Sequence, residues 1–193
     1  MTFVKLSQLF DIYMNLFDET FVMNCIKWII LNSKVSWQSF FDMSLSIYFR
    51  EPTYNSPRVE FNPESGILEL KGKSIPENAT QLYEPVLKWL KEYINIAPEE
   101  TNLHINLDYF NTASSIWIAR IIKVLASIDG HEKLLIIHLY FDIEEFDEME
   151  EEDTKEAISP VTDVLTIAKL SVGVKIYAKD NSGTIIKEKL VLL

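Results

Sequence analysis

The stretch LHINLDYFNTASSIWIARIIKVL, residues 103–125, changes its grammar half-way. Leu103, Ile105, Leu107 and Tyr109 fall on one side of an alternating pattern, and His104, Asn106 and Asp108 fall on the other. A period of two predicts a strand over Leu103–Tyr109. From Ala113 to about Ile128 the apolar residues Ile118, Ile121, Ile122, Leu125 and Ile128 recur at three- and four-residue steps, which predicts a helix with one buried face. Asn111, Thr112, Ser114 and Ser115 lie between, on a strand-to-helix turn. The first backbone N–H groups of a helix have no partner inside it. Small polar side chains at that point either cap the helix, contributing roughly 1 kcal/mol, or mark a place where a phosphate sits. The residues alone leave both readings open.

Working outward, LLIIHLY (134–140) is a near-continuous apolar run, the pattern of a strand covered on both faces. Strand, helix and strand make a βαβ unit, whose crossover is right-handed by rule. Asp129-Gly130 supplies a residue suited to ending the helix. Upstream, ATQLYEPVLKWLKEYIN (79–95) places Leu82, Val86, Trp89, Leu90 and Tyr93 on one helical face, with Asn78 as cap. Pro85 removes one backbone donor within it, which predicts a kink or a late start. RVEFNP and ILELKG flank Glu64-Ser65-Gly66 and read as a hairpin, with Gly66 free to take positive φ. SLSIYFRE reads as a further strand.

Downstream, DIEEFDEMEEED (142–153) holds nine carboxylates in twelve positions. Like charges at that density repel, so the run is expected to be solvated. A helix through Val161, Val164, Leu165 and Ala168 follows Pro160. VGVKIYA is expected to be a strand, DNSG a turn, and TIIKEKLVLL a last strand or a tail. The pattern amounts to an α/β protein: a compact single domain over 43–178, a small mixed sheet packed by helices, with 179–193 as C-terminal strand or tail. Residues 1–42 stand apart. Leu6, Phe10, Tyr13, Phe17, Phe21, Cys25 and Trp28 form an apolar helical stripe. It reads as helices packing on the main domain, as a docking helix for a partner, or as sequence upstream of a natural start at Met43.

Bulk properties narrow the function. The 193 residues are 48% hydrophobic and 12% aromatic, enough for a packed core. A formal net charge of −11 argues against nucleic acid and against an anionic membrane surface as partners. The one cysteine permits no internal disulfide, which fits a reducing, cytoplasmic setting. FVMNCIKWIIL (21–31) is too short to span a membrane, which takes roughly 20 apolar residues. His104, His131 and His138 show no metal-ligand spacing, and the acidic run lacks the order of a calcium loop, so neither metal nor cofactor is expected. Ser114 and Ser115 lie outside any G-x-S-x-G elbow. Phosphate-cradling glycine motifs are absent from a chain with five glycines. Nothing in the sequence asks for an enzyme.

Several stretches taken together resemble the SiaC-type bacterial regulatory phosphoproteins: PRVEFNPESGILELKGKS (57–74), IPENATQLYEPVLKWLKEY (75–93) and LHINLDYFNTASS (103–115). The resemblance covers about residues 44–150, and the pairing of PENA…LYEPV…WL with YFNT-x-S is its most specific part. It implies an anti-sigma-factor-antagonist-like (STAS-like) fold and a protein that is phosphorylated by a Ser/Thr kinase of anti-sigma type. A PP2C-like phosphatase would reverse the modification, and the unmodified form would bind and regulate a target signalling enzyme, a diguanylate cyclase in the system that names the family. The phosphate acceptor implied is Thr112, with Asn111, Ser114 and Ser115 as the supporting turn. Ala113 stands where a further serine is common. A phosphate at Thr112 would sit on the positive end of a helix dipole, tolerated by the fold but repellent to a partner, with Asp108 adding to the repulsion. The alternative is a phosphorylation-independent interaction or structural module in which 111–115 is only a helix cap.

Overall fold

A computed structural model describes residues 45–148, 152, 158–159, 161–163 and 168–192. The stripe read in residues 1–42, and Val164 and Leu165 of the later helix, lie outside the described residues. Seven strands follow in chain order: β1 (Tyr48–Arg50), β2 (Arg58–Asn62), β3 (Ile67–Ser74), β4 (Glu100–Phe110), β5 (Leu134–Asp142), β6 (Ser171–Lys179) and β7 (Ile185–Leu192). They form one sheet in the order β1-β2-β3-β4-β5-β6-β7. The central pairs β3–β4, β4–β5 and β5–β6 are parallel, and the outer pairs are antiparallel. Helix α1 (Ala79–Tyr93) crosses from β3 to β4, α2 (Thr112–Leu125) from β4 to β5, and the short α3 (Ile143–Glu148) begins the crossover from β5 to β6.

The apolar faces read from the sequence are the buried ones. On α1 they are Leu82, Val86, Trp89, Leu90 and Tyr93; on α2, Ile118, Ile121, Ile122 and Leu125. They cover Val59, Phe61, Leu68, Leu70, Leu103, Ile105 and Leu107 of the sheet. Trp89 closes this layer, lying 5.6 Å from Phe61 and 5.2 Å from Tyr93 between ring centroids, and its indole N–H donates to the Ser46 carbonyl at 2.8 Å. Helix α1 starts at Ala79, capped by Asn78 Oδ1 on Gln81 N, and runs on through Pro85. The late start does not occur: Pro85 is the seventh residue of the helix, where its ring nitrogen cannot donate to the Gln81 carbonyl, and the helix continues on both sides of it. Helix α2 stops at Leu125, earlier than the apolar spacing implied; Ile128 is buried in the turn that follows.

Strand β5 is not apolar on both sides. Leu135, Ile137 and Leu139 face the helices, while His138 and Tyr140 lie on the opposite face. There the register places Glu69, His104, His138 and Lys175 side by side across four strands. The two imidazoles stack with centroids 4.1 Å apart, and Tyr140 stacks on Tyr177 at 4.9 Å. His138 is buried within this polar and aromatic ladder, stacked also on Tyr177 at 5.7 Å. The C-terminal stretch is a strand rather than a tail: Asp180 Oδ1 accepts from Ser182 N and Thr184 N in a tight turn, and β7 then pairs back on β6.

Candidate functional site

The site lies where β4 hands over to α2. Opposite β3, the register of β4 slips: Gly72 pairs with Leu107, but Lys73 pairs with Tyr109. Asp108 is the extra residue of a β-bulge, which bends a strand and re-aims its side chains. The consequence overturns part of the period-two reading. Tyr109 does not continue the buried row of Leu103, Ile105 and Leu107 but is 61% exposed, and Phe110 beside it is 46% exposed. The adjacent pair Tyr109-Phe110 was itself a signal, since two neighbouring strand residues point to opposite faces and both cannot enter one core.

Asn111 then caps the helix. Its backbone is extended, its Oδ1 accepts from Ser114 N at 2.9 Å, and its carbonyl accepts from Ser115 N at 3.0 Å. Thr112 is the first helical residue and is exposed. Ser115 Oγ donates to the Thr112 carbonyl at 2.8 Å. Ser114 behaves differently from its neighbours. It is fully buried, its Oγ donates to the Ser74 carbonyl at 2.9 Å, and it accepts from Ser74 Oγ at 2.8 Å. With that proton committed, Ser74 Oγ accepts from Tyr83 O–H at 2.6 Å. Three hydroxyls thus form one directed chain from α1 through the end of β3 to α2. Burial raises the Tyr83 phenol's pKa, so it remains a donor. The Ser74 carbonyl also accepts from Asn111 N at 3.0 Å, which ties the cap to β3. Ser74 and Tyr83 lie in stretches that carry the family resemblance, but no spacing assigned them a role at this turn, because that role depends on contacts between elements distant in the chain.

The four turn residues therefore divide. Asn111, Ser114 and Ser115 make hydrogen bonds that hold the turn, and Thr112 presents itself outward on a fixed backbone. Asp108 points to the open face of the sheet, 3.4 Å from Lys179 Nζ, so its charge is partly offset rather than directed at Thr112. Tyr109, Phe110 and Ile116, within four residues of Thr112 along the chain, are 61%, 46% and 52% exposed. Among the described residues no group of three or more His, Cys, Asp or Glu side chains is arranged to hold a metal ion. No helix among them is long and apolar enough to cross a membrane.

A family model described as "SiaC family regulatory phosphoprotein" matches residues 50–167. The chain belongs to the SiaC family. The match runs past residue 150, where the resemblance in the sequence ended, and stops before β6 and β7. The crystal structure of apo-SiaC from Pseudomonas aeruginosa is similar to this chain with a TM-score of 0.53 at 20% identity, covering 66% of this chain and 98% of that one. A chain in the structure of the diguanylate cyclase SiaD in complex with its activator SiaC, from the same organism, gives a TM-score of 0.52 at 20% identity over the same shares. At that identity the likeness is one of fold. An uncharacterized protein of Pseudomonas aeruginosa (strain UCBPP-PA14) is 29% identical over 62 residues, 32% of this chain; the chain spans about half of that relative's length, 49%. The SiaC fold and the mixed α/β sheet expected from the sequence agree.

Proposed function

We propose that this chain is a non-enzymatic, cytoplasmic signalling protein switched by reversible phosphorylation of Thr112. A Ser/Thr kinase of anti-sigma type adds the phosphate and a PP2C-like phosphatase removes it. The unmodified form binds and regulates a target signalling enzyme, by family resemblance a diguanylate cyclase. The observation that carries this reading is the division within the turn: Thr112 is the exposed first residue of α2, whereas Ser114 is sealed in the core. A kinase can reach the first and not the second. A phosphate at Thr112 brings about −1.5 to −2 charges at neutral pH onto the positive end of α2, which the fold accommodates without rearrangement. The apolar surface of Tyr109, Phe110 and Ile116 is then crowned by a dianion. A partner seated there must either desolvate that charge or leave. The core stays as it was and the docking surface changes sign.

Intact mass after coexpression with candidate kinases tests this, followed by fragmentation of the 109–120 peptide. One added phosphate on Thr112, lost in Thr112→Ala and kept in Ser115→Ala, is the expected result. A phosphate elsewhere, or none with any kinase of this type, favours the second reading. In that reading the complete cap of Asn111 on Ser114 N is all that the turn does, and binding is independent of phosphorylation.

A further inference from the structure

We propose that the groove between α1 and α2 is the seat of an acidic helical segment of the partner protein. The proposal rests on the partner-binding reading above and adds where the partner lies and what its chemistry is. Both helices start from the same edge of the sheet, after parallel strands β3 and β4, and run side by side. The groove between them, about 660 Å³, opens to solvent. Its length follows from the helices: at 1.5 Å per residue, 14 or 15 residues give about 21 Å, room for roughly four turns of another helix.

The lining carries Lys88, Lys91 and Arg120 against a single carboxylate, Glu84. In a chain of net charge −11 this is a local reversal of sign. Among the described residues none of the three cations is engaged in a salt bridge. Trp117 also lines the groove. Its indole is held by two neighbours, Tyr83, stacked at 6.1 Å and 16°, and the Arg120 guanidinium, 4.6 Å from the ring centroid. A rigid tryptophan beside cations is the composition of an interface anchor, with little side-chain freedom left to lose on binding. Carboxylates on the incoming segment complement the rims, and its apolar side chains meet Trp117 and Pro85.

Thr112, Ile116 and Arg120 follow each other at steps of four along the exposed ridge of α2, so this surface leads from the groove up to the phosphate acceptor. That continuity explains why a phosphate would act as an off-switch. The same carboxylates that suit Lys88, Lys91 and Arg120 are repelled by a dianion at the head of the ridge.

The test uses the full chain, with the photoreactive benzophenone amino acid placed at position 88 or 120, irradiated in its native host. The expected result is one dominant adduct at each position whose cross-linked peptide, sequenced by mass spectrometry, is rich in Asp and Glu. Reversing charge in the groove, Lys91→Glu, should lower capture at least tenfold. Lys71→Glu, an equal reversal on the open face of the sheet, should leave it unchanged. Adducts with neutral or basic peptides, no adduct at either position, or equal loss from both reversals would overturn the groove. The switch is scored separately. Capture at 88 and 120 that persists after Thr112 phosphorylation would contradict the switch and leave the groove standing. Capture that moves to another face but still vanishes on phosphorylation would contradict the groove alone.

Discussion

Ser74 and Ser114, forty residues apart, share two hydrogen bonds: Ser74 Oγ donates to Ser114 Oγ at 2.8 Å, and Ser114 Oγ donates to the Ser74 carbonyl at 2.9 Å. Through them the N-terminus of α2 is bolted to the end of β3, and through Tyr83 to α1. The turn that presents Thr112 is therefore a rigid platform.

Breaking this link should cost stability but not modification. Ser114→Ala removes one buried hydroxyl and leaves Ser74 Oγ with Tyr83 alone. The expected loss is about 1–2 kcal/mol of unfolding free energy, the usual range for a buried hydrogen bond with a partner left behind. Kinase modification of Thr112 should persist in this variant. Urea unfolding and phosphopeptide mapping check the two halves; phosphate incorporation that disappears with a folded Ser114→Ala protein would move the acceptor assignment.

Gly66 offers a second, structural test. It sits at φ +68° in the β2–β3 turn, and a Cβ there would lie 2.3 Å from the Glu100 carbonyl oxygen. That carbonyl belongs to the start of β4 and cannot swing aside, because Gly66 O also accepts from Asn102 N at 2.8 Å. Gly66→Ala should destabilise by roughly 2–4 kcal/mol, from left-handed backbone strain and overpacking together. A change under 0.5 kcal/mol in thermal or urea unfolding would contradict the geometry.

The open-face ladder predicts a pH dependence. Asn102 Oδ1, 2.8 Å from His138 Nε2, can only accept, so Nε2 carries the proton and Nδ1 accepts from Tyr177 O–H at 3.0 Å. Burial first, then His104 and Lys175, lower the His138 pKa to about 4. The folded state thus binds this proton less readily than the unfolded chain, whose value is near 6.5. The contribution is fully present above about pH 6.5 and is lost as pH falls toward 4, up to roughly 3 kcal/mol at the bottom of that window. Tyr140, raised to about 12 by burial first and then by Tyr177 and Glu69, stays protonated throughout. Unfolding free energies at pH 7.5, 6 and 5 for the wild type and His138→Gln should converge as pH falls. Parallel curves would show that His138 titrates freely.

Much of this architecture could be read from the chain, and the exceptions share a cause. The helix faces of α1 and α2, the hairpin at Gly66 and the βαβ unit follow from periodicity and turn chemistry, which are local. The bulge at Asp108 is set by pairing with β3, so alternation alone placed Tyr109 on the wrong side. The apolar run of β5 suggests two similar faces, but on one of them His138 and Tyr140 stack with rings from neighbouring strands, a pairing that only the register reveals. At the turn, the amide and hydroxyls were recognisable as a cluster. Their separation into one exposed and one buried acceptor depends on Ser74 and Tyr83, which no spacing near residue 112 reveals. The cationic groove was equally hidden, since Lys88 and Lys91 belong to one helix and Arg120 to another.

The central claim is that a phosphate on Thr112 changes binding and leaves the fold alone. Titration calorimetry of the captured partner against unmodified and Thr112-phosphorylated protein tests it most directly. Burying an uncompensated charge costs several kcal/mol, and each 1.4 kcal/mol is a factor of ten. The account predicts at least a hundredfold weaker binding for the phosphorylated form, a smaller loss for Thr112→Glu, near-native affinity for Thr112→Ala, and matching melting temperatures throughout. Equal affinities for the phosphorylated and unmodified protein would contradict it.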